Sequence, residues 1–165
     1  MIRRHRSSSA FTLIELIAVL VILAIIAGMV VPSMRGFAVG NATEAAAQRI
    51  VVLARYARTE AINEGQTYRL NFDVNAGNYW LTLSNAGVYQ DISGDYGEHF
   101  ALGQGTTLRT DLQPQSDGTY VTFQPTGRTD PVHIWITDKL GKELEVACTS
   151  STELYRILSP QEMTR

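Results

Sequence analysis

From Phe11 to Val31 the chain reads FTLIELIAVLVILAIIAGMVV, 21 residues in which Glu15 is the one ionisable side chain. Coiled as an α-helix, such a run extends about 31 Å, the thickness of a bilayer's hydrocarbon core. It has no polar face, so a helix buried in a soluble core is a poor reading of it. Arg3, Arg4, His5 and Arg6 precede the run. A basic flank stays on the cytoplasmic side, which sends everything after Val31 outward. A cleaved secretory signal would need a shorter apolar core ending in a small-x-small site, and Ile25-Ile26-Ala27 fits that badly. A plain anchor fits the length but leaves Glu15 without a purpose. A carboxylate at that depth costs about 2.5–3.5 kcal/mol on insertion scales, which makes Glu15 a functional candidate.

Beyond the run, Pro32 is expected to kink or locally release the helix, with Gly28, Gly36 and Gly40 weakening the same region. The cluster reads either as the end of the membrane helix or as a joint between packed subunits. From Asn41 the pattern becomes amphipathic. Ala46, Ile50, Leu53, Ala54, Ala57 and Ala61 recur at spacings of three and four, one stripe of a helix narrow enough to lie close on a sheet. Gly65, after Asn63-Glu64, supplies the stop.

At Gln66 the period switches to two. Tyr68, Leu70 and Phe72 alternate with Arg69 and Asn71; after a turn at Asn75-Ala76-Gly77-Asn78, Tyr79, Leu81 and Leu83 return as the second strand of a hairpin. Residues 85–118 are glycine-rich and acidic, with one weak strand expected at Thr106–Leu112. A loop this long is a binding surface or a poorly ordered one. The last third predicts strands at Tyr120–Phe123, His133–Thr137, Glu143–Ala147 and Tyr155–Leu158, an antiparallel sandwich or curled sheet.

Charge and chemistry narrow the function more than they define it. The formal charge is −2, and −5 without the first ten residues, so general nucleic-acid affinity is not expected. In the C-terminal region Arg128, Lys139, Lys142, Arg156 and Arg165 are interspersed with acidic residues and form no basic block. His99 and His133 have no second ligand at metal spacing, and Asp91, Asp95 and Glu98 lack an EF-hand pattern, so they read as a solvated acidic loop. Cys148 is the only cysteine and reads as a buried thiol at a strand end. No metal, cofactor or catalytic set is expected, and the enzyme reading is poor.

The segment SA-FTLIELIAVLVILAIIAGMVVP resembles the N-terminus of type IV pilins and of type II secretion pseudopilins. That resemblance implies a leader of residues 1–10, cut by a prepilin peptidase between Ala10 and Phe11, and N-methylation of Phe11. Ala10 stands where the family usually has Gly. Pro32 falls where the family often has a proline. The fifth mature residue, Glu15, is the one the family uses for pairing with a neighbouring subunit's amine. ARTEAINEG at 57–65 and VTFQPTGR at 121–128 further resemble the H-type minor pseudopilins and their minor-pilin relatives. The implied fold is α+β and pilin-like: a transmembrane and assembly helix at 11–31, its amphipathic second half at 32–65, and an antiparallel β-rich head at 66–165. The implied role is a structural subunit of a type II secretion pseudopilus. Its partners would be the prepilin peptidase, the major and minor fibre subunits, and, before assembly, the bacterial inner membrane, with the head periplasmic. A minor pilin of a type IV pilus, serving assembly or DNA uptake, is the alternative, and a membrane-anchored receptor that never assembles is a third.

Overall fold

The computed structural model describes residues 13–158, apart from the side chains of 27–41. The chain divides into two compact units, Met1–Phe37 and Ala38–Arg165. In the first, helix α1 is described from Leu13 onward, and every described side chain of the apolar run is exposed, the large hydrophobic ones by 44% to 76%. Among the described residues no helix is long and apolar enough to cross a membrane. The described side chains of the run, 13–26, are by themselves shorter than the roughly 20 residues a span requires.

The helix α1 spans Leu13–Glu64, and its backbone stays helical through Pro32 and the glycines around it. In the second unit its predicted stripe is the buried one: Ala46, Ile50, Leu53, Ala54, Ala57 and Ala61 are all buried, joined by Ala47 and Val51. The stripe is wider than the periodicity predicts because both sheets contribute side chains to the one core cluster that the helix enters. Alanine at four of the six predicted positions keeps the helix surface shallow there, so sheet side chains can reach close to its backbone. Gly65 ends the helix at φ 66°, the left-handed conformation in which a Cβ would be strained.

Two antiparallel sheets follow. The first is built on the predicted hairpin, β1 (Tyr68–Asp73) and β2 (Asn78–Asn85), paired from Tyr68↔Leu83 to Asp73↔Asn78. Asp73 organises the turn: its carboxylate accepts the amides of Asn75 and Ala76, and its carbonyl accepts that of Gly77. β3 (Val88–Asp91) and β4 (Phe100–Ala101) both pair with β2, along its two ends, and β6 (Thr119–Phe123) pairs with β1. The second sheet runs β5-β7-β8-β9, where β5 is Thr107–Thr110, β7 Val132–Thr137, β8 Glu143–Cys148 and β9 Arg156–Leu158. Alternate residues of β1 and β7 (Tyr68, Leu70, Phe72; Val132, Ile134, Ile136) point into the core.

The long segment 85–118 is more regular than its sequence implies. It contains β3, β4 and β5, with the single predicted strand shortened to Thr107–Thr110. β3 has no buried residue and β4 is two residues long. With so little burial there is no alternation to read. Their strand state comes from the open edge of β2, which offers backbone partners.

Candidate assembly surfaces

Glu15 lies in the first turn of α1. Around it Leu13, Ile14, Leu16 and Ile17 are exposed, as are the apolar residues onward to Ile26. A helix apolar on all sides has no stable arrangement in water, so this surface calls for lipid or for other helices. Ala10 and Phe11 lie outside the described residues, as does the side chain of Pro32.

In the head, the two histidines that stand isolated in sequence each gain a carboxylate and an aromatic ring. His99 Nε2 lies 3.1 Å from Asp91 Oδ2, and its ring stacks on Trp80. His133 Nδ1 lies 2.5 Å from Glu145 Oε1, its ring stacked on Trp135, whose other neighbour is the Arg109 guanidinium at 4.2 Å. The His133 pairing follows from the register of β7 on β8, and neither pairing gives a third ligand: among the described residues no group of three His, Cys, Asp or Glu side chains is arranged to hold a metal. Cys148 is buried at the end of β8, its thiol donating to the Ser150 carbonyl at 3.1 Å. Burial pushes that thiol's pKa up, which makes it a poor nucleophile.

Two arginines matter more than their place in the sequence pattern suggests. Arg69, at a polar position of β1, sits between the rings of Tyr89 on β3 and Tyr120 on β6, 3.4 and 3.7 Å from their centroids. It also donates to Asp117 at 2.8 Å, and this contact holds the Asp117 carboxyl below its usual pKa. Arg58 reaches from α1 to the carbonyls of Thr152 (2.9 Å) and Glu153 (2.5 Å), tying the segment before β9 to the helix. Alternation marks Arg69 as outward-facing, but the rings that flank it come from strands 20 and 51 residues away. Arg58 falls in the 57–65 stretch, yet nothing local foretells its partners.

A helix with an exposed apolar start and an acidic first turn, whose second half packs on an antiparallel β-head, defines a pilin-type subunit. The prokaryotic N-terminal methylation motif matches residues 5–31, and the type II transport protein GspH profile matches residues 46–152. The chain belongs to the GspH family of type II transport proteins, the H-type minor pseudopilins. Similar solved structures support the fold. The minor pseudopilin EpsH from the Type 2 Secretion System of Vibrio cholerae is similar at TM-score 0.62 and 19% identity, over 73% of this chain and 98% of that one. A second EpsH crystal structure from the same organism gives TM-score 0.62 and 17% identity, over 73% and 97% of the two chains. The type IV minor pilin FimU of Pseudomonas aeruginosa is similar at TM-score 0.52 and 13% identity, over 74% and 92%. No curated protein matches the sequence. The methylation motif implies prepilin peptidase processing and assembly with pilin-type subunits, and the family consists of structural subunits rather than enzymes.

Proposed function

We propose that the chain is made as a precursor, cut between Ala10 and Phe11, and methylated on the new Phe11 amine. The helix at 11–31 then holds it in the inner membrane, N-terminus cytoplasmic and head periplasmic, until it enters the fibre. There it serves as a minor pseudopilin of the type II secretion system, supporting protein export across the outer membrane. One observation carries this reading: an exposed helical segment, apolar but for the single carboxylate of Glu15, in a chain of the GspH family. Pro32 and its glycines form a joint that lets the helix adjust as subunits pack. A type IV pilus setting is the alternative; the GspH match favours the secretion fibre.

Within the fibre, Glu15 pairs with the N-terminal amine of a neighbouring subunit. After cleavage the chain's own amine would lie four residues before Glu15, a spacing that sets two groups on one face of a helix. Pairing across subunits neutralises two charges that lipid disfavours and sets the axial register between helices. Intact-mass analysis of membrane-extracted protein should show loss of residues 1–10 and gain of one methyl group. Glu15→Ala and Glu15→Gln should be processed normally yet co-purify poorly with the major fibre subunit. A mature protein starting at Met1, or a Glu15→Ala variant that assembles like the wild type, would sink the reading at the corresponding step.

A further inference from the structure

Between β5 and β6 the chain reverses in a tight turn, Gln115-Ser116-Asp117-Gly118. Gly118 N donates to the Gln115 carbonyl at 3.2 Å, and Gln115 N to the Gly118 carbonyl at 2.8 Å. Gly118 takes φ 130°, a conformation that a residue with a Cβ rarely adopts, so the turn requires glycine there. The residue before it is aspartate. Asp117-Gly118 is the one Asp-Gly pair in the chain, and no Asn-Gly pair occurs. Such a pair is chemically vulnerable. With no side chain beside it, a glycine amide nitrogen can reach the carboxyl carbon of the preceding aspartate and close a succinimide ring. The fold thus imposes a reactive pair at a half-exposed position.

Both reacting groups are engaged elsewhere. The nucleophile, Gly118 N, commits its hydrogen to Gln115, whose side chain is fixed in turn by the Tyr120 hydroxyl donating to Oε1 at 2.6 Å. The electrophile, the Asp117 carboxyl, accepts from Arg69 Nη1 at 2.8 Å. Arg69 is itself clamped between Tyr89 and Tyr120, so the carboxylate is tied to a fixed point rather than to a mobile surface side chain. The same contact holds the carboxyl below its usual pKa, and an ionised carboxylate, with no hydroxyl to lose, is the poorer electrophile.

We infer that Asp117-Gly118 is a site of spontaneous backbone isomerisation and that Arg69 is the residue that keeps it closed. When the tie opens and the carboxyl is protonated, a bond forms from Gly118 N to Asp117 Cγ as the Cγ–OH bond breaks. The hydroxyl leaves with the amide hydrogen as water. Water then adds at the Asp117 main-chain carbonyl carbon, and the bond from that carbon to Gly118 N breaks. The main chain now runs through Cβ and Cγ, with the carboxylate on Cα. The extra main-chain carbon lengthens the turn and moves the carboxylate away from Arg69. To test this, full-length protein in detergent would be incubated at neutral pH in heavy-oxygen water, folded or unfolded in urea, then digested in ordinary water. Each ring opening writes one heavy oxygen into the tryptic peptide 110–128. The folded wild type should gain label more slowly than the unfolded chain. Arg69→Ala should raise the folded rate about fivefold, the scale of one solvent-facing ion pair. Arg69→Lys keeps a cation for a tie that one nitrogen makes, and should stay near the wild type although it melts lower. Ala57→Leu, which loosens the head from the helix side, should also leave the rate unchanged. Equal labelling of folded and unfolded wild type, or of Arg69→Ala and wild type, would overturn the inference. So would an Arg69→Lys or Ala57→Leu rate that rises as far as that of Arg69→Ala, since general loosening would then control the site.

Discussion

Replacing Arg69 should loosen the first sheet at three places at once. The guanidinium joins β1 to β3 through Tyr89, to β6 through Tyr120, and to the preceding loop through Asp117. Its side chain is 16% exposed, so the two ring contacts belong toward the desolvated end of the cation–π range, about 1–2 kcal/mol each. The contact with the half-exposed Asp117 adds little to stability, as exposed ion pairs do. Arg69→Ala should therefore destabilise the head by about 2–4 kcal/mol through the rings. In a domain of this size that lowers the melting temperature by roughly 6–16 °C. Arg69→Lys keeps the charge but loses the flat guanidinium that fits between two rings, and should recover less than half of the loss. The assay is circular-dichroism melting of a head fragment starting at Ala38, which belongs to a compact unit of its own. A second readout is the Asp117 carboxyl, whose depressed pKa should return to the ordinary range in Arg69→Ala; a carboxylate-resolved NMR titration follows it. A melting shift below 2 °C in Arg69→Ala, with the Asp117 titration unmoved, would refute the clamp.

Further outcomes follow from burial and backbone geometry. Ala57→Leu inserts three carbons where the helix meets the core at zero exposure, and should cost about 1–3 kcal/mol in denaturant unfolding; Ala45→Leu on the exposed side should be near neutral. Gly97→Ala forces the Ile92 carbonyl to move, so the fluorescence signature of Tyr96 on Tyr56 should be lost, with only a modest change in melting. Cys148, Tyr68 and Tyr155 all have pKa values raised chiefly by burial. Their protonated forms are therefore favoured by folding. Their contribution is complete below the ordinary thiol and phenol values, about 8.5 and 10, and is lost as pH rises above them. Melting temperature should thus fall from about pH 9 upward, and Cys148 should react with a thiol reagent only as fast as the head opens.

Much of this architecture is legible in order along the chain. The apolar run, the alanine stripe and the hairpin are each written as a period, 3.6 or 2, because one face of each element must leave water while the other stays in it. The turn at Asn75–Asn78 and the stop at Gly65 are local chemistry and read equally well. What the chain order does not reveal is everything decided by which strands become neighbours. β3 and β4 bury too little to leave a pattern, and exist because β2 offers an open edge. Arg69 is one more polar residue on an alternating strand until pairing with β6, and the β2–β3 hairpin, bring Tyr120 and Tyr89 to its two faces. The stack of Tyr96 on Tyr56 likewise needs the loop at 95–100 to fold back against α1, a contact across 40 residues. Periodicity records how much of each residue meets water, whereas identity of the neighbour is settled only when the sheets close.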